Sequence, residues 1–95
     1  MININGTIYR DSEAKFPTNN RGFAYGDAVF ETIKINNKVL FWEAHYFRLM
    51  ASMRILRMEI PMNFTPVFLE SQILELVESH KIKSISYRAK LTVYR

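Results

Sequence analysis

The chain contains no cysteine. That excludes a disulfide framework and any thiolate metal site, and it fits a reducing compartment such as the cytoplasm. The start, Met1-Ile2-Asn3-Ile4-Asn5-Gly6, has no basic stretch followed by an apolar run, so it does not read as a secretory signal. No apolar run approaches the ~18 residues of a membrane span. Internal repeats, low-complexity stretches and linkers are also missing. The cations are scattered rather than gathered in one run. Net charge is +4 and the sequence pI about 9.6, which permits a mildly basic surface, a nucleic-acid binder or a site for an anionic ligand. The scatter argues against the nucleic-acid reading.

What is present suits one small domain. Over 95 residues, hydrophobic side chains make up 48% and charged ones 23%, ordinary globular usage. A domain this small buries only roughly 60–65% of its unfolded surface, so its stability is expected to be modest and helped by a partner surface. The opening reads as a β-hairpin, with β-prone runs Met1–Ile4 and Thr7–Arg10 around Asn5-Gly6, both tolerant of positive φ. Residues 11–20 are polar, contain Pro17 and read as a loop. In Ala28–Ile35, Val29, Glu31, Ile33 and Ile35 point one way and Phe30, Thr32 and Lys34 the other. A turn at Asn36-Asn37-Lys38 and a return strand over Val39–Trp42 are expected next. Apolar residues then recur at three- and four-residue steps, Trp42, Tyr46, Leu49, Met53, Leu56 and Ile60, which predicts a helix ended by Pro61. A second helix is predicted from Thr65 as N-cap and Pro66 as its first residue, with Phe68, Ile73, Leu76 and Val77 apolar up to about His80. Ile85–Arg95 alternates again. Tyr87, Ala89, Leu91 and Val93 share one face, and Ser86, Arg88, Lys90 and Thr92 the other. The predicted class is α+β, an antiparallel sheet with two helices. Arg95 falls inside a β-prone segment without a turn, so the chain is expected to be truncated there.

Three stretches carry possible chemistry. Within Arg21–Glu31, Gly22 and Gly26 permit tight turns, while Tyr25 and Phe30 can wall a pocket. Glu31, on a strand that should be largely covered, needs a partner or a polar cavity if ionised. The plainer reading is a turn, core aromatics and a surface carboxylate. On the first helix His45, Arg48 and Ser52 stack on one side. Arg48 is either a rim residue with its head in water or a bidentate phosphate ligand, and His45 either a packed residue or a ligand. Arg88 and Lys90 share a strand face that can receive a carboxylate or simply be solvated.

Taken together, these stretches resemble the class IV aminotransferases, the fold-type IV pyridoxal-phosphate enzymes. That family shows Arg-Gly-x-x-(Tyr/Phe)-Gly-Asp-x-x-(Phe/Tyr)-Glu, then His-x-x-Arg-Leu, then a basic, β-branched strand. Here they are Arg21–Glu31, His45–Leu49 and Arg88–Arg95. The resemblance covers essentially the whole chain and implies a single N-terminal domain over residues 1–95, small and α+β. It further implies pyridoxal 5'-phosphate as cofactor, an amino substrate and a homodimer; a cytoplasmic location with no nucleic-acid or membrane partner is expected from the composition. By the same resemblance Arg48 matches the cofactor-phosphate arginine and Phe30 a substrate-pocket aromatic. Tyr25 and Glu31 match positions near the active site, and Lys90, with Arg88 on its face, a substrate-facing strand. Two departures stand out. Ala28 replaces a common glycine, and Lys90 a frequent arginine, which weakens a bidentate carboxylate contact.

No catalytic residue is expected within the chain. The family's Schiff-base lysine lies beyond position 95 in a second domain, and Lys15, Lys34, Lys38, Lys81, Lys83 and Lys90 all fall in the first-domain pattern. The pocket lies between the two domains, so the 95-residue chain is expected to be inactive by itself. Branched-chain aminotransferases tend to have Glu-Gly where Glu31-Thr32 stands, and Phe30-Glu31-Thr32 is more similar to the aminodeoxychorismate lyases, which form 4-aminobenzoate and pyruvate on the folate route. Branched-chain or other amino-acid aminotransferases are the alternative subtype. A non-catalytic, self-associating fragment is the alternative from another class.

Overall fold

In the computed structural model, residues 1–13, 28–80 and 83–94 are described. The element order is β1 (Ile2–Ile4), β2 (Thr7–Tyr9), a 3-10 turn at Asp11–Glu13, β3 (Ala28–Ile35), α1 (Trp42–Ile55), α2 (Pro66–Glu78) and β4 (Tyr87–Tyr94). The fold is therefore α+β, with two antiparallel two-stranded sheets, β1-β2 and β3-β4.

The first hairpin turns at Asn5 (φ 52) and Gly6 (φ 91), where Gly6 N–H donates to Asn3 Oδ1 at 2.9 Å. Positive φ at both central residues matches the twist of the flanking strands. Asn3 Nδ2 donates to Gln72 Oε1 at 3.0 Å, tying the hairpin to α2.

The second expected hairpin is corrected. Asn36 N–H does bond Lys38 O, closing a turn at 3.0 Å, but the return strand shrinks to a single bridge, Ile35 to Val39. Phe41 adopts a left-handed conformation (φ 55) and Trp42 already begins α1. The full-length partner of β3 is instead the distant β4, from Ala28↔Tyr94 to Ile35↔Tyr87.

Helix α1 also ends earlier than its apolar spacing predicts, at Ile55 rather than near Pro61. Arg57 takes φ 55. Its N–H bonds Arg54 O, and Met58 N–H bonds Met53 O at 2.8 Å. This is a Schellman closure with arginine where glycine is usual. Ile60 still packs against the core, but from beyond the helix, whereas Leu56 caps α1 and is part-exposed. Helix α2 starts as expected, with Thr65 accepting from Phe68 N–H at 3.1 Å and Pro66 in the first turn.

The core gathers Ile33, Ile35, Val39, Trp42, Leu49, Met50, Met53, Leu69 and Ile73. It lies between one face of β3-β4 and the two helices. Trp42 Nε1 donates to Pro66 O at 2.9 Å and Tyr46 Oη to Phe64 O at 2.6 Å. Two core aromatics thus fix the start of α1 against the entry to α2. Among the described residues no helix is long and apolar enough to cross a membrane.

Candidate cofactor and substrate site

The alternation of β3 sends consecutive residues to opposite faces, and this divides the predicted site residues into two groups. Glu31 faces the core with Val29, Ile33 and Ile35 and is buried. Phe30 projects from the other face and is 58% exposed. Tyr25, with the rest of 14–27, lies outside the described residues.

Glu31 meets α1. Arg48 Nε lies 3.0 Å from both carboxylate oxygens, and Arg48 Nη2 lies 2.7 Å from Oε1. His45, one turn earlier, places Nδ1 2.7 Å from the same Oε1. An ionised carboxylate only accepts, so Nδ1 carries the donated proton. Nη2 and Nδ1 approach to 3.2 Å because they share that acceptor. The spacing of three residues puts both donors on one side of α1, and packing of α1 on β3 brings them to Glu31. The Arg48 guanidinium bonded to Glu31 holds its carboxyl below the usual carboxylate range; burial opposes this, and the His45 contact adds to it. Glu31 in turn pushes Arg48 further up.

Arg48 is anchored along one edge only. Its side chain remains 62% exposed, and among the described residues Nη1 has no hydrogen-bond partner. Two N–H donors of a permanent cation therefore face outward. That donor set fits a phosphate group. It fits no metal, and among the described residues no cluster of ligating side chains could hold one.

The outer face of β3-β4 is built differently. Register places Phe30 opposite Thr92, Thr32 opposite Lys90 and Lys34 opposite Arg88, all exposed. Lys90 Nζ sits 4.5 Å from the Phe30 ring centroid, a cation–π contact. Neither strand places an acidic side chain on this face, and like charges directly opposite one another are unfavourable. The face is receptive to an anion. The structure thus unites Phe30, Lys90 and Arg88 on one surface and separates them from Glu31 and Arg48 on the other.

His45 is the participant that sequence reasoning did not assign to the site. Its spacing from Arg48 was the available signal, but only contact with β3 gives that spacing a partner.

The chain belongs to the amino-transferase class IV family, whose family model matches residues 28–95. It is 36% identical over 76 residues to the D-alanine aminotransferase of Bacillus licheniformis, covering 79% of this chain and 26% of that protein. To the D-alanine aminotransferase of Staphylococcus aureus (strain N315) it is 40% identical over 52 residues, covering 54% of this chain and 18% of that protein. The chain therefore spans about a quarter or less of the length of these relatives. They fit the amino-acid aminotransferase alternative and do not specifically favour the lyase. Pyridoxal phosphate is the cofactor expected from the family.

Proposed function

We propose that this chain supplies the phosphate anchor and part of the substrate pocket of a pyridoxal-phosphate-dependent amino-acid aminotransferase acting on a D-amino acid such as D-alanine. The observation that carries the reading is Arg48, held on Glu31 along one edge with Nη1 outward. Arg48 would hold the cofactor phosphate. When bound, the cofactor provides an electron sink for the bonds at the substrate's amino-bearing carbon. Arg88, Lys90 and Phe30 lie on the opposite sheet face from Arg48, so they would meet a substrate carboxylate only in a pocket that a second domain or subunit completes. Family likeness supports a homodimeric assembly and a lysine-bearing second domain, and this domain would be the N-terminal one. The run Phe30-Glu31-Thr32 favours a second reading, an aminodeoxychorismate lyase-like activity.

Titrating cofactor into the full-length apoenzyme tests the reading. Arg48→Ala should weaken binding by about ten- to a hundredfold, the scale of a lost hydrogen bond to a charged group. Arg48→Lys should fall between, keeping charge but losing the fork. Equal dissociation constants would remove Arg48 from the site. Amino transfer from D-alanine, without release of 4-aminobenzoate from aminodeoxychorismate, would separate the first reading from the second.

A further inference from the structure

Glu31 is the one buried charged side chain in the described core. A carboxylate there is costly to desolvate, and replacing a buried ion pair with apolar side chains is often neutral or stabilising. The same face of β3 carries Val29, Ile33 and Ile35, so a fourth apolar residue would suit the packing. Packing alone therefore does not call for a glutamate here, whereas the arrangement of its partners does. Glu31 takes the Nε and Nη2 edge of Arg48. His45 donates to the same Oε1 and limits rotation of the carboxylate. The result is a long, largely exposed side chain with one aim for its remaining N–H pair.

We propose that Glu31 and His45 are positioning residues that fix the Arg48 guanidinium edge-on, so that Nη1 is presented to the cofactor phosphate. The inference rests on the phosphate-anchor reading of Arg48. It opposes a simple charge argument, in which Glu31 repels the phosphate and its loss tightens binding. The Arg48 cation would stand between the two anions and attract both, which offsets their mutual repulsion, whereas nothing else in the described residues orders the arginine. Ordering should therefore dominate.

The test compares affinities for pyridoxal 5'-phosphate and for pyridoxal, which lacks the phosphate, in the full-length apoprotein. Glu31→Ala should weaken pyridoxal phosphate binding by about five- to thirtyfold. The upper figure is the ~2 kcal/mol of arginine rotamer entropy converted at about 1.4 kcal/mol per tenfold. Pyridoxal affinity should not change. Glu31→Gln, which keeps one acceptor oxygen, should lose less, and His45→Gln should lose less than Glu31→Ala. The Arg48 Nε–H signal in the 15N NMR spectrum should be sharp in the wild type and broadened in Glu31→Ala. If Glu31→Ala fails to fold, Glu31→Gln and His45→Gln carry the comparison. Unchanged or tighter binding in the Glu31 variants, with Arg48→Ala still weakened, overturns the positioning role alone. Equal loss for both ligands overturns it in favour of a purely structural role. No effect of Arg48→Ala overturns the anchor reading and this inference together.

Discussion

At the scale of single residues, Glu31 shows what a sequence states and what it withholds. A glutamate at an inward position of an alternating strand announces that it needs a partner. It does not say which one. Arg48 and His45 lie 17 and 14 residues away, and their meeting depends on how α1 packs across β3. The sequence left Arg48 open between a rim cation and a phosphate ligand, and neither reading included the ion pair with Glu31 that one of its edges makes. The pairing has a pH signature. The folded-state pKa of Glu31 is depressed, so its contribution is complete above the unfolded value, about 4.3, and is lost as pH falls through the lower folded value. Unfolding midpoints measured from pH 7 to 3 should fall more steeply in the wild type than in Glu31→Gln below about pH 4.3. Asp11, lowered by the N-terminal ammonium, contributes equally to both proteins and cancels. Parallel curves would mean that the carboxylate is not held in solution as it is in the structure.

At the scale of elements, local signals were readable where they were local in cause. Asn5-Gly6 sets its turn through backbone freedom alone, and Thr65-Pro66 starts α2 through a cap and a fixed φ. The errors arose where distant segments compete. Val39–Trp42 has the composition of a return strand, but β4 takes the edge of β3 and Trp42 is drawn into the core as the first residue of α1. The early end of α1 was hidden because Ile60 continues the apolar spacing and still packs inward after the helix has closed. That closure offers a test. Arg57 pays the left-handed penalty of about 1–2 kcal/mol, of which a glycine would return part through its own freedom in the unfolded chain. Arg57→Gly should stabilise the fold by roughly 0.5–1 kcal/mol, read from urea or thermal unfolding. A destabilised variant would show that the arginine side chain supports the turn in some other way.

At the scale of the whole molecule, the described surface leaves several large apolar side chains in water: Phe41, Phe47, Ile55, Met62, Val67 and Ile85, each at least 62% exposed. Phe47 and Ile55 stand on the outer side of α1. Where such side chains join into a contiguous patch they favour association. Sedimentation near micromolar concentration should show a dimer or larger species, and monomer alone at high concentration would count against the homodimeric reading. The order in which the sheet is assembled has a kinetic consequence. The β3 and β4 ends that meet, Ile35 and Tyr87, are separated by about fifty residues containing both helices. Non-local pairing of this kind must close a long loop before any ladder bond rewards it, so it forms late. During synthesis β3 leaves the ribosome well before its partner exists. Through that interval Ile33 and Ile35 depend on α1 for cover, and the edge of β3 is open to a strand from another nascent chain. Rapid docking of α1 would then shield the young polypeptide from aggregation, before any cofactor or substrate has been met.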